Sequence, residues 1–365
     1  MEKLILNAPI SSLSLGQVSY NIIRECWKRN IDLAYFPIGE VQLDAFQPPK
    51  ELVSYIQDAL NKRLSHLSRD VKTLKIWHIQ SQEPKDPFRV LLTPDQTLCT
   101  FHETDFATEF EKTLVNLNKK TLFCGNYSEN IFRAAGCPNV GSFNVGWDED
   151  FKVTGKKYLT DKCVWSIVGK KEVRKNTKGI IQAWIKKYGN NKDHALNCVI
   201  DNPFFSPEDN QRLINDYTGG RRIFNLNILP HIKTNFEMNE VYNASNIDLS
   251  GASFSESYGI PAFTSCGLGK VCVVNNFGGH KAWATAENSI LIEPDGMQDC
   301  YDGVFFNKGG NCSQGQYSHY SEDALVDAME RAEQQVGQPN TAGLALQNTH
   351  SWKNSLDHIL NQVYN

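Results

Sequence analysis

A chain of 365 residues is longer than one hydrophobic core usually organises, so two domains are expected. A formal net charge of −4, with 41% hydrophobic and 21% charged residues, fits a water-soluble globular protein and argues against a surface built on nucleic-acid phosphates. No apolar run approaches the ~18 residues of a membrane helix, and the start, MEKLILNAPISS, reads as a first strand and not a targeting segment, so a cytoplasmic protein is expected.

In chain order, Leu4–Ile10 is an apolar strand, SSLSLGQ a Ser/Gly loop, and Val18–Arg29 a helix burying Ile22, Ile23, Cys26 and Trp27 at helical spacing. A strand follows at Asp32–Pro37. Strand, glycine turn, helix, strand opens a doubly wound α/β domain, and the absence of GxGxxG leaves a dinucleotide site unsupported. A helix is expected over Lys50–Ser68, with short strands at Lys75–Ile79, Arg89–Leu92 and Thr97–Phe101. His102, Glu103 and Asp105 follow the last of these, and neither they nor the formal DxD of Asp148-Glu149-Asp150 have the surroundings of a metal site, so no metal is expected. Leu122–Gly125, a helix over Ser128–Ala135 and a strand at Gly141–Phe143 complete the first half.

The second half opens with a strand, Val164–Val168, ended by Gly169. A basic loop with Lys170, Lys171, Arg174 and Lys175 leads to a helix capped near Asn176 or Thr177 that buries Ile180, Ile181, Trp184 and Ile185. A charge run is usually a solvated face. Placed between a strand's carboxyl end and a helix N-terminus, however, it is also where an α/β sheet binds phosphate. Strands are expected at Leu196–Asp201 and Arg222–Leu229, and helices at Glu208–Tyr217 and Phe236–Ala244. Residues 246–294 then alternate strands (Ile247–Leu249, Val271–Val274, Ile290–Ile292) with glycine-rich connections, one of which carries Glu256. Residues 297–320 lack periodicity and read as a long loop, a candidate acceptor or oligomer element. Helices at Ser321–Gln334 and from Trp352 to Tyr364 finish the chain. Ten cysteines without a CxxC pair read as free core thiols.

Several of these segments resemble glycosyltransferases of the GT-B fold, and in particular the large retaining family called GT4. Gly169-Lys170, four residues, Lys175, then Ala183-Trp184 is similar to the family's Gly-Arg, four residues, Lys and a helix with an Ala-Phe pair. Glu256-Ser257-Tyr258-Gly259-Ile260-Pro261-Ala262-Phe263-Thr264 is similar to its motif of two glutamates eight positions apart, with Thr264 where the second glutamate stands. Gly269-Lys270, Gly278-Gly279 and the domain-leaving segment Asn144–Asp148 also match.

The resemblance implies two Rossmann-like, doubly wound domains facing a cleft. Residues 1–155 would form the acceptor side, 156–345 the nucleotide-sugar side, and 346–365 a terminal helix crossing back to the first domain. It implies transfer of a sugar from a nucleoside diphosphate to an acceptor hydroxyl, with retention, without a metal and without a cofactor other than the sugar nucleotide itself. Glu256, Lys175 and His102 would be catalytic. Gly16, Lys170, Lys175, Glu256, Ser257, Tyr258, Gly259, Ile260 and Thr264 would bind the donor. Gly16 also reads as a plain tight turn and His102 as a satisfied structural histidine, with His78 a weaker candidate. The acceptor is open between a glycan, a small molecule and DNA carrying a hydroxymethylated base. A sugar-nucleotide epimerase, a phosphorylase or a non-catalytic binding protein on the same fold are the alternatives.

Overall fold

The computed structural model describes residues 3–68, 70–79, 91–156 and 158–364. Half of the expected strand at Arg89–Leu92 falls outside them, and the other half, Leu91 and Leu92, is not in a strand. The chain divides into two compact units, one of Met1–Asp148, Asn307–Gly315 and His350–Asn365, the other of Glu149–Phe306 and Gln316–Thr349.

The first unit holds six parallel strands: β1 (Lys3–Ile10), β2 (Asp32–Val41), β3 (Lys72–Ile76), β4 (Gln96–Thr100), β5 (Lys120–Cys124) and β6 (Val140–Phe143), in the order β2-β1-β3-β4-β5-β6. Helix α1 (Ser14–Lys28) begins four residues earlier than its apolar spacing suggests. Its first turn lies against the end of β1, where a Cβ on Gly16 would stand 2.3 Å from the Ser11 nitrogen. The helix expected over Lys50–Ser68 breaks at Lys62 into α2 (Lys50–Asn61) and α3 (Arg63–His66). Strand β3 sits three residues before its expected place because Lys75 is buried in it while Trp77 and His78 fall beyond its end. Helix α4 (Glu109–Asn116), which the sequence reading missed, starts at a capping box in which Thr108 and Glu111 satisfy each other's backbone amides. Helix α5 (Asn126–Ala134) follows β5.

The second unit's strands are β7 (Cys163–Val168), β8 (His194–Val199), β9 (Leu226–Ile228), β10 (Ile247–Gly251), β11 (Val271–Asn275) and β12 (Ile290–Ile292). They are parallel, in the order β12-β11-β10-β7-β8-β9, which is the Rossmann order read from the other edge. Around them lie helices α6 (Thr177–Lys187), α7 (Pro207–Thr218), α8 (Asn235–Ala244), α9 (Ile260–Gly267), α10 (Glu322–Glu333) and α11 (Thr341–Thr349). The core centres on Trp165 and Trp184, both 0% exposed with ring centroids 5.8 Å apart. Burying a ring of that size stabilises by about 4–6 kcal/mol before the ordering cost. In this strand order the chain changes direction between β7 and β10, the place where an α/β sheet opens a crevice at its carboxyl end. That junction is stitched by side chains: Ser166 donates to Asp248 at 2.8 Å, and the Val168 amide donates to the Ser250 hydroxyl at 2.8 Å.

Residues 300–315 form neither helix nor strand, as expected for the middle of 297–320, but the two ends of that segment pair. These ends make a two-stranded antiparallel pair, β13 (Gly296–Asp299) with β14 (Gln316–His319), and within the connection Asn307–Gly315 belongs to the first unit. There Thr108 donates to the Asn311 carbonyl at 2.6 Å and Glu111 accepts from the Ser313 amide at 2.8 Å. The final helix α12 (Trp352–Tyr364) packs on α1, β3, β4 and β6 of the first unit. Arg29 bonds Asp357 at 2.6 Å, and a Cβ on Gly146 would lie 2.4 Å from the Trp352 nitrogen.

Candidate functional site

The crevice position between β7 and β10 brings two loops together. One runs from Gly169 to Asn176 into α6; the other runs from Ala252 to Gly259 into α9. Gly259 caps α9 in the left-handed region, at φ +77°, and a Cβ there would meet the His280 ring at 2.5 Å. Behind it a 3₁₀ turn, Gly278–Ala282, presses so closely that a Cβ on Gly279 would stand 1.9 Å from the Ser257 oxygen, and the Gly279 amide donates to the Glu256 carbonyl at 2.8 Å. The glycines therefore let three backbone segments meet behind one carboxylate.

That carboxylate, Glu256, is 7% exposed and sits between two cations. Lys175 bonds one oxygen through a short contact, and Arg174 bonds the other at 3.1 Å while also donating to the Ser255 carbonyl at 2.9 Å. Arg174 reaches a second carboxylate, Glu172, at 3.1 Å, and Lys170 pairs with the other oxygen of Glu172 at 2.7 Å. The result is a continuous chain of alternating charge: Lys170, Glu172, Arg174, Glu256, Lys175. Burial alone would raise the Glu256 carboxyl; Lys175 and Arg174 chiefly overcome it and hold the group at about 2, below its ordinary 4.5. Glu172 is likewise held below its ordinary value, against its burial, by Arg174, Lys170 and Lys175. With three cations and two carboxylates the cluster is left one positive charge in excess at a helix N-terminus, an arrangement that attracts anions.

His280 is 0% exposed, its Nδ1 facing the Asn275 carbonyl at 3.1 Å, and burial lowers it to about 4. It is therefore neutral near pH 7, with Nδ1 carrying the proton and Nε2 left as an acceptor that makes no hydrogen bond among the described residues. Lys171 turns away from the cluster to Asp201 at 2.6 Å and Asn210 at 3.0 Å. It lines a neighbouring cavity of about 470 Å³ with Asp201, Phe205, Leu229, Pro230 and His231.

The structure thus gathers Lys170, Lys175, Glu256, Ser257, Tyr258, Gly259 and Ile260 into one locality. Tyr258 is only 1% exposed, and its carbonyl accepts from the Trp283 indole at 2.7 Å. Thr264 is buried one turn along α9. Gly16 and His102 lie in the first unit. His102 is 4% exposed, edge-on to Phe132 at 5.0 Å, with Thr104 at 3.3 Å and Glu111 at 3.8 Å from its Nε2. Asp148 is engaged by Arg24 at 2.6 Å and Asn21 at 2.9 Å, and Asp150 by Asn235 at 3.0 Å. Among the described residues no three His, Cys, Asp or Glu side chains gather as a metal site. Sequence reasoning placed Arg174 in the basic loop without giving it a role, and it passed over Glu172 and His280. The only signals of these two were a carboxylate placed inside a basic run and a histidine directly after a glycine pair.

No protein-family model and no curated protein matches the sequence. Solved structures do. The sucrose-phosphate synthase of Thermosynechococcus elongatus superposes with a TM-score of 0.70 at 13% identity, covering 100% of this chain and 98% of the other. The α,α-trehalose 6-phosphate synthase of Burkholderia multivorans gives 0.64 at 12%, covering 100% and 96%. HepE of Anabaena, in complex with UDP, gives 0.63 at 12%, covering 100% and 98%, and it is also solved with UDP-glucose. These neighbours are GT-B glycosyltransferases. At such identity the likeness speaks for the fold, and the fold of this chain is GT-B: two Rossmann-like units, each on a six-stranded parallel sheet.

Proposed function

We propose that this protein is a glycosyltransferase that takes its sugar from a nucleoside diphosphate. The single observation that carries this reading is the chain of charge from Lys170 to Lys175, built at the switch point of the second sheet around a buried, ionised Glu256. In this reading the diphosphate lies against Lys175, Lys170 and the amides that open α9, and the nucleoside extends toward the cavity beside Lys171. HepE, of like fold, is solved with UDP and UDP-glucose, which supports a nucleotide sugar as the donor class.

In the transfer step the bond from the anomeric carbon to the β-phosphate oxygen breaks, and its electron pair leaves with the nucleoside diphosphate. The acceptor oxygen bonds to the anomeric carbon, and its proton passes to the departing phosphate. Negative charge grows on that phosphate, and preorganised Lys175, Lys170 and backbone amides stabilise it without reorganisation. Glu256, kept ionised, holds Lys175 in place and accepts a hydroxyl of the sugar. The neutral His280 behind Gly259 keeps the Glu256 loop in register. Thr264, a short neutral hydroxyl, stands where the GT4 motif carries its second glutamate. We read the reaction as retaining and metal-independent, with the diphosphate's charge met by lysines and the Asp148 and Asp150 carboxylates already engaged elsewhere. His102, enclosed by Phe132 and Glu111, takes no direct step in this reading. The acceptor stays at the level of a hydroxyl compound, whether glycan, small molecule or modified DNA.

The test is turnover. Incubation with UDP-, ADP-, GDP- and CMP-linked sugars and mixed hydroxyl acceptors should release free nucleotide from one donor, and Lys175→Ala should lower that rate by about 10²-fold or more. Release at an equal rate by wild type and Lys175→Ala would remove the cluster from the reaction. Interconversion of sugar nucleotides without an acceptor would point to an epimerase.

A further inference from the structure

Within the alternating chain the two carboxylates are not equivalent. Glu256 holds Lys175 and Arg174 at the mouth of α9, whereas Glu172 holds Lys170 at the far end. The Lys170 side chain is 31% exposed, the most open of the three cations. It is held in a specific way: its ammonium lies 5.1 Å from the Phe204 ring centroid and 5.2 Å from that of Phe305, with the Glu172 carboxylate at 2.7 Å. Phe204 is 60% exposed and Phe305 36% exposed, and Phe305 stacks on Phe205 at 6.2 Å. Two aromatic faces and one carboxylate thus grip a lysine that could otherwise extend freely into water. Arg174, bonded to both carboxylates and to the Ser255 carbonyl, keeps Glu172 from following Lys170 if the lysine moves.

We infer that Glu172 is a specificity-determining residue of the donor site, a resident anion that keeps Lys170 between Phe204 and Phe305 until a diphosphate competes for it. This inference rests on the donor reading above. A carboxylate or a single phosphate bound at Lys175 has no second anionic group to offer Lys170, whereas a diphosphate bridging from Lys175 draws Lys170 over. The device therefore trades affinity for selection of two linked phosphoryl groups.

The test uses inorganic pyrophosphate, which carries the diphosphate without a base or sugar, titrated calorimetrically into the full-length protein. Glu172→Gln should tighten pyrophosphate binding by on the order of tenfold, and the gain should vanish in the double variant with Lys170→Ala. An equal gain with and without Lys170 would mean that Glu172 acts only through its field, and it would overturn the latch. Unchanged affinity in Glu172→Gln would overturn it too. Should Glu172→Gln fail to fold, Phe204→Ala alters only an exposed ring and should tighten pyrophosphate about two- to fivefold, the size of an exposed cation–π contact. No change there would also overturn the latch. Wild-type protein that binds neither pyrophosphate nor UDP, ADP or GDP would overturn the donor reading itself and this inference with it, whereas wild type that binds them while the variants do not respond overturns the inference alone.

Discussion

Replacing Glu256 by Gln keeps the shape of the carboxylate and removes its charge from between Lys175 and Arg174. The wild-type group is held at about 2 against an ordinary 4.5. At ~1.4 kcal/mol per pH unit, that gap corresponds to about 3 kcal/mol of folding stability. Because the folded value is depressed, this contribution is complete above pH 4.5 and fades as the pH falls through that value toward 2. At pH 7 the variant should therefore be about 3 kcal/mol less stable, since two cations then face a neutral amide. The deficit should shrink steadily between pH 4.5 and pH 2, because the variant has no carboxylate there to protonate. Urea unfolding followed through tryptophan fluorescence at pH 7, 5 and 3.5 measures it, with Trp165, Trp184 and Trp283 of the seven tryptophans lying in the same unit as Glu256. A deficit at pH 7 below about 1 kcal/mol, or one that stays constant to pH 3.5, would refute the picture of Glu256 as a buried anion clamped by its neighbours.

Two other substitutions probe the scaffold. Gly259→Ala places a side chain at φ +77° and 2.5 Å from the ring of His280, which is fully buried, so a loss of about 2–4 kcal/mol is expected in thermal unfolding; a loss under about 0.5 kcal/mol would mean that the Glu256 loop is not packed on His280. Asp148→Asn should cost about 3 kcal/mol by leaving the buried Arg24 guanidinium without its 2.6 Å partner. Nucleotide release by the wild-type protein should be the same in excess EDTA as in added Mn²⁺, and a strong dependence on Mn²⁺ would return the Asp148–Asp150 segment to the metal-binding role that its side-chain bonds argue against.

Much of the second unit could be read from the chain because local chemistry and fold agree there. Gly169 ends a buried strand, and the apolar spacing of Ile180, Ile181 and Trp184 marks α6 with its start at Thr177. Asn176 stands at the cap yet does not cap. It adopts the left-handed conformation and spends its amide on the Tyr320 hydroxyl at 2.8 Å, a tertiary bond with no local signature. Helix α9 was hidden because most of its eight residues are buried, so it shows no polar face, and because Gly259 and Pro261 read as a turn. The hairpin within 297–320 was hidden for the opposite reason: its strands of four residues, GMQD and QYSH, bury little besides Tyr317 and Ser318 and show no full alternation. In the site, the resemblance to the GT4 motifs singled out Lys170, Lys175 and Glu256. A run of cations does not tell which of them is tied down inside, and Arg174 and Glu172 became distinct only when Glu256, some eighty residues on, closed the chain of charge.

The most direct measurement is the melting temperature of the wild-type protein with UDP-, ADP-, GDP- and CMP-linked sugars, each at saturating concentration, alongside Lys175→Ala. A donor present at a hundred times its Kd stabilises the native state by about 2.7 kcal/mol, which corresponds to a rise of about 5 °C or more for a unit of this size. One nucleotide sugar should produce that rise in the wild type, and Lys175→Ala should lose most of it. No rise with any of the four, or an undiminished rise in Lys175→Ala, would contradict a nucleotide-sugar site at the end of β7 and β10.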